Sequence, residues 1–144
     1  MRAETLQRRA EALAARAPST VAIARLSLGL MVLAAGVHKL IDPGAWTVYV
    51  VDPLAPWLVV SPTVFVLANG YLEVGFGLAL LVDRYTAIAS LVAAASLTAT
   101  VCYLAVVYAT LGAFGDVLAR DVGLTGLAWV VFVESMGPEN EGRF

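Results

Sequence analysis

Four stretches of the chain run almost uninterrupted through apolar residues: about Thr20 to Ile41, Pro62 to Val82, Thr86 to Leu111 and Val117 to Met136. Each is long enough to cross about 30 Å of hydrocarbon as a helix, which takes about twenty residues. Lipid does not tolerate unpaired backbone groups, so a spanning segment is either a helix or a strand of a closed barrel, and these runs lack the period-two alternation of barrel strands. The pattern predicts an all-α protein, a four-transmembrane-helix bundle with an N-terminal amphipathic surface helix. In that first segment, residues 1–18, Leu6, Ala10, Leu13, Ala14 and Ala17 recur at helical spacing. Arg2, Arg8, Arg9 and Arg16 fall largely on the opposite side, as in a helix lying on an anionic leaflet. A frayed polar tail is the competing reading. The membrane domain is expected over residues 19–136, followed by a short polar tail over 137–144.

Composition agrees with the pattern. Of 144 residues 60% are hydrophobic and only 14% charged, and the mean hydropathy of +0.85 lies far from that of a soluble domain. The opening residues are too polar for a signal-peptide core and the first apolar run is too long for one, so an uncleaved chain is expected. Arg2, Arg8, Arg9 and Arg16 before the first span, Arg84 between spans two and three and Arg143 in the tail face Lys39 and Arg120 across the bilayer. The positive-inside rule then puts both termini in the cytoplasm of a multi-pass plasma-membrane protein. The eight-to-one excess of Arg over Lys, with much Ala and Val, is expected of a GC-rich or salt-loving prokaryote. A single cysteine, Cys102, excludes an internal disulfide or a dithiol redox pair, and one histidine with one cysteine argues against a metal site. No phosphate-binding loop, nucleic-acid-binding pattern or lipidation box is present.

Local signals punctuate the runs. Ser19 and Ser61-Pro62 read as helix starts, and Asp42-Pro43 as a stop followed by a short helix that carries Trp46 and Tyr49 toward the headgroups. Pro53, Pro56 and Trp57 then lead back into the membrane, so this outer loop reads as an interfacial lid. Gly70, Gly75 and Gly77 in the second span leave room for a neighbouring backbone. Asp83-Arg84 is a tight turn that makes spans two and three antiparallel neighbours. The third span carries Thr98, Thr100, Cys102 and Tyr103, a row suited to a polar interior or to packing. Gly112 to Asp121 reads as the second outer connection, with Asp116, Arg120 and Asp121 near the mouth of the bundle.

Glu73 carries the most information, because it lies near the middle of the second apolar run. A carboxylate at mid-bilayer depth costs about 2.5–3.5 kcal/mol, so it must be protonated, paired or beside water, and it is a candidate functional group. The competing reading is a buried hydrogen bond that ties two helices together. Depth arithmetic at about 1.5 Å per residue places Arg25 level with Glu134 and within reach of Glu73. The same arithmetic sets Lys39 about nine residues shallower than Glu73, too far for direct contact without tilt or shift. Asn69 lies one turn from Glu73 on the same face. A ladder of His38, Asn69 and Glu73, with Lys39 near its outer end, is expected either to carry protons or to hydrogen-bond the head group of a quinone. Arg25, Glu134, Arg120 and Asp121 are the charge-pair candidates.

The segment Ala35-Gly36-Val37-His38-Lys39-Leu40-Ile41-Asp42-Pro43 resembles the small-Gly-x-x-Lys-Leu-x-Asp-Pro signature of the DoxX/DoxD family of small membrane proteins. Glu73 followed by Gly75, Gly77 and Leu80 is similar to that family's second-span motif, and Arg120-Asp121-Val122-Gly123-Leu124 to the start of its fourth span. The resemblance covers about Ala24 to Ser135. It implies a four-helix membrane bundle and, for some members, a role as the membrane subunit of a thiosulfate:quinone oxidoreductase or as a partner of redox and sulfur-handling proteins. The sequence shows one cysteine and is expected to carry no soluble redox domain, so electrons would have to come from a partner chain. The sequence therefore leaves three readings: a quinone-associated membrane subunit of a redox or sulfur-metabolising complex, a non-enzymatic structural or assembly subunit with a protein partner or as a homo-oligomer in membrane lipid, and a pathway for protons or small solutes.

Overall fold

A computed structural model describes residues 2–52 and 55–137, and they are helical throughout apart from turns and connections. The order is α1 (Arg2–Ala14), α2 (Thr20–Ile41), the short α3 (Gly44–Thr47), a single 3-10 turn (Ala55–Trp57), α4 (Pro62–Leu81), α5 (Thr86–Leu111) and α6 (Gly115–Ser135). The expected tail from residue 138 onward, Arg143 included, and Pro53 lie outside the described residues.

Side-chain caps set the helix starts that the sequence signals. Ser19 Oγ accepts the Ala22 N–H at the start of α2, and Ser61 Oγ accepts the Val64 N–H at the start of α4, where Pro62 occupies the first turn and lacks the N–H that would go unused there. Asp42 Oδ1 accepts the Ala45 N–H at 3.2 Å and so launches α3. The fourth long helix begins earlier than the apolar pattern suggests. Gly112 and Phe114 both adopt left-handed φ, 67° and 63°, and reverse the chain within three residues. Asp116, Arg120 and Asp121 therefore sit on the first turns of α6 rather than in a ten-residue connection.

Among the described residues three helices, α2, α4 and α5, are long and apolar enough to cross a membrane. Their outward faces carry large apolar side chains such as Leu30, Leu72, Ile88 and Val106, each more than half exposed in the isolated chain, which suits contact with lipid. In α6 the charged residues at its two ends bracket an apolar middle.

The helices associate as two intimate pairs, α2 along α4 and α5 along α6, joined through thinner α2–α6 and α4–α5 contacts. Spans two and three are thus neighbours, as the Asp83-Arg84 turn requires, although each packs more extensively on another helix. Glycine explains the α2–α4 pair. A Cβ on Gly36 would come within 2.8 Å of the Gly70 carbonyl and the Val74 nitrogen, and one on Gly77 within 2.6 Å of the Leu33 nitrogen. Apolar side chains gain little by associating in lipid, so such backbone proximity is a main source of packing energy. Gly75, by contrast, faces open space. Where the pairs meet, Leu28, Val32, Leu80, Ala89, Ala93, Ala94, Ala128 and Val131 form the core, the small side chains of α5 admitting the larger ones around them.

Candidate functional site

The α2–α4 packing delivers two charged groups to one point. Lys39 follows Gly36 by three residues and Glu73 follows Gly70 by three, so on antiparallel helices in glycine contact both side chains emerge beside the close approach. Lys39 Nζ and Glu73 Oε1 form a salt bridge of 2.5 Å, with side chains 13% and 26% exposed. The second carboxylate oxygen, Glu73 Oε2, is buried without a hydrogen-bond partner among the described residues. A buried acceptor in that condition costs about 1–3 kcal/mol unless a donor reaches it.

This contact corrects the depth arithmetic. Gly36 lies opposite the stretch Gly70–Val74, so the first turns of α4 extend beyond the last turn of α2 by about five residues, about 7 Å along the axis. The nine-residue difference in depth assumed that the two helices end flush. The long lysine stem spans the remaining gap.

Trp46 of α3 closes over the pair. Lys39 Nζ lies 4.5 Å from the centroid of its ring, a cation–π contact worth about 0.5–2 kcal/mol. The Trp46 Nε1–H donates to His38 Nδ1 at 3.0 Å. His38 itself is exposed and orients the indole from outside. The expected ladder from His38 through Asn69 to Glu73 is therefore replaced: Lys39 meets Glu73, and the Asn69 amide donates to the Phe65 carbonyl of its own helix at 2.9 Å.

Two adjoining cavities of about 440 and 290 Å³ open beside the salt bridge and share much of their lining. Lys39, Trp46, Asn69 and Glu73 border both from one side, and Ser96, Thr100, Arg120 and Asp121 from the other. Arg120 Nε donates to Asp121 Oδ1 at 2.9 Å; Asp121 is buried while the Arg120 side chain is 56% exposed. The space thus holds two ion pairs and no net charge, between apolar walls that include Val32, Phe76, Val66 and Leu104. Its size falls within the range of small-molecule pockets.

Residues that the sequence left undecided separate here. Thr100 and Tyr103 line the larger cavity. The Tyr103 hydroxyl donates to the Tyr49 carbonyl at 2.6 Å and accepts the Val51 N–H at 3.3 Å, fastening the connection after α3 to α5. Thr98 instead accepts the Trp129 Nε1–H at 3.1 Å, and Cys102 is exposed on the outside of the bundle. Arg25 does not extend to Glu73. It donates to the carbonyls of Leu80 and Leu81 at the end of α4 and approaches Asp83 at 3.4 Å. Glu134 lies exposed near that same end of the bundle, in the last turn of α6. Sequence reasoning saw Trp46 only as a headgroup anchor. The signal for its role was its place in a short helix launched by Asp42, immediately after Lys39.

Together these features define an all-helical multi-pass membrane protein with a polar, ion-paired cavity between two helix pairs. A family model described as DoxX matches residues 20–114. The chain belongs to the DoxX family. Neither a curated protein nor a solved structure matches it.

Proposed function

We propose that the cavity binds the polar head group of a lipid-soluble redox carrier, a quinone or its reduced form, and that the protein serves as a quinone-associated membrane subunit whose electrons come from a redox or sulfur-handling partner chain. The observation that carries this reading is Glu73 Oε2, a buried acceptor without a partner, at the edge of a cavity otherwise suited to a ring with polar ends. Glu73 and Lys39 would contact one polar end, Asn69 would flank it, and Arg120 supplies donors across the space. Trp46 covers the pair from the outer side. The family resemblance supports the same class of ligand. Binding of a ubiquinone or menaquinone analogue in its reduced, quinol form to the purified protein in nanodiscs tests it, with loss of binding expected in Glu73→Gln. Unchanged binding removes Glu73 from the site.

A second reading, a structural or assembly subunit, is favoured by the position of Lys39–Glu73 beside the closest α2–α4 backbone approach, where the pair also fixes helix register. Under that reading Glu73→Gln changes folding or oligomeric state, and the wild type binds no quinone analogue.

In the same proposal α6 is the fourth span, α1 lies on the anionic cytoplasmic leaflet of the plasma membrane, and both termini are cytoplasmic. The arginine distribution supports this orientation. With Cys102 replaced by Ser, a cysteine at Asp83 should resist a membrane-impermeant maleimide in intact cells while one at Asp42 reacts.

A further inference from the structure

An apolar groove on the outside of the bundle adjoins the polar cavity. This groove, of about 360 Å³, lies between α4 and α5, where Gly75 and Ala79 face Ile88 and Ala89. Leu72 and Phe76 border both the groove and the smaller cavity beside the salt bridge. On α5 the lining passes from Ile88 and Ala89 to Val92 and Ala93 and then to Ser96, successive turns of one face. The seam between the helices thus changes from almost wholly apolar at the Tyr85 end to polar at Glu73 over about 16 Å, at 1.5 Å per residue. Small residues open the groove: Gly75 has no atom near the position of a Cβ, and α4 and α5 touch thinly.

From this shared border we propose that the groove holds the hydrocarbon tail of the same molecule whose head group lies in the cavity, so that the ligand is a long-tailed amphiphile entering sideways from the bilayer past Leu72 and Phe76. The inference rests on the reading of the cavity as a head-group site and adds where the tail lies and by what route the molecule enters. A solute arriving from water would have no use for an apolar extension at membrane depth. A tailed molecule is already concentrated in the lipid that bathes these faces, and it can bury its chain there without desolvating any polar group.

The test uses two probes on the full chain in nanodiscs: a ubiquinone analogue with a long isoprenoid tail, and the same ring with a methyl group in place of the tail. Gly75→Trp fills the groove from α4 and Ile88→Trp from α5, whereas Val130→Trp adds the same bulk to an exposed face of α6. The affinity of the tailed probe should fall at least tenfold in Gly75→Trp and in Ile88→Trp and stay within twofold in Val130→Trp. The tail-less probe should bind all four proteins within about twofold. Comparing each probe with itself across variants cancels its partition into lipid. If the tailed probe is insensitive to both groove variants, or if both probes are lost together, the tail does not lie in the groove and the inference is overturned. Failure of both probes to bind the wild type refutes the head-group site itself, a result distinct from either of these.

Discussion

Lys39 and Glu73 meet at 2.5 Å at the point where Gly36 and Gly70 bring the backbones of α2 and α4 together. The ion pair and the backbone contact are parts of one construction. Glycine fixes the register, and the register sets a lysine from the end of one helix against a carboxylate in the middle of the other.

A double-mutant cycle of Lys39→Met and Glu73→Gln should therefore show a coupling energy of about 1–3 kcal/mol in unfolding measured in mixed micelles, the double variant being more stable than the sum of the two single losses predicts. Additive effects would mean that the two groups act independently.

The glycines should divide by position rather than by residue type. Gly77→Ala forces a methyl group against the Leu33 backbone and should lower stability by about 1–3 kcal/mol. Gly75→Ala meets open space and should change it by less than about 1 kcal/mol. Thermal unfolding of the two variants under identical detergent conditions decides this, and equal losses would remove close packing as the reason for the α2–α4 pair.

Trp46 and His38 should have unequal effects on ligand binding. Trp46→Ala uncovers Lys39 and removes the cation–π contact, so affinity for a quinone analogue should fall about three- to tenfold, in line with about 0.7–1.4 kcal/mol. Trp46→Phe keeps a ring over the ammonium and His38→Ala removes only the indole's outer support, so each should stay within about threefold of wild type. A larger loss in His38→Ala than in Trp46→Ala would return His38 to the site.

Arg120 and Asp121 are paired but lie at different depths, and that asymmetry is measurable. Arg120→Ala leaves a buried carboxylate without its charge partner and should cost about 1–3 kcal/mol. Asp121→Asn leaves a mostly exposed guanidinium that water can solvate, and its cost should be below about 1 kcal/mol. Denaturant titrations that ranked the two variants the other way would contradict the burial of Asp121.

Glu73 Oε2 needs a donor, and a quinol hydroxyl can supply one whereas a quinone carbonyl cannot. Under the proposed function the reduced form should bind about tenfold more tightly than the oxidised form, raising the potential of the bound two-electron couple by about 30 mV. Anaerobic titration of both forms measures this directly, and equal affinities would show that the orphan acceptor plays no part in recognition.

Much of this was legible in the chain because strong local signals agreed. Ser19, Ser61-Pro62 and Asp42-Pro43 bounded helices that apolar content had already marked, and α2 and α5 run between the residues the pattern indicates. Glu73 stood out because a carboxylate in an apolar run has no cheap explanation. Its partner could not be read from depth, because the axial offset of α2 against α4 arises from glycine contact between segments far apart in sequence. Arg25 was misdirected for a related reason: its partners include the backbone carbonyls of Leu80 and Leu81, and a pattern of side chains does not show where another helix leaves its last carbonyls open. The early start of α6 was hidden in the left-handed Phe114, a conformation that sequence rarely signals outside glycine and asparagine.

Arg25 closes the exposed end of α4 from a neighbouring helix, and Lys39 grips the middle of α4 from the far end of α2. With a bolt near either tip, these two rods cannot slide past each other without shearing both. The alanine-rich flank of α5 has no such bolt to α4 among the described residues and touches it only thinly, so the α4–α5 seam is the less firmly fastened of the two.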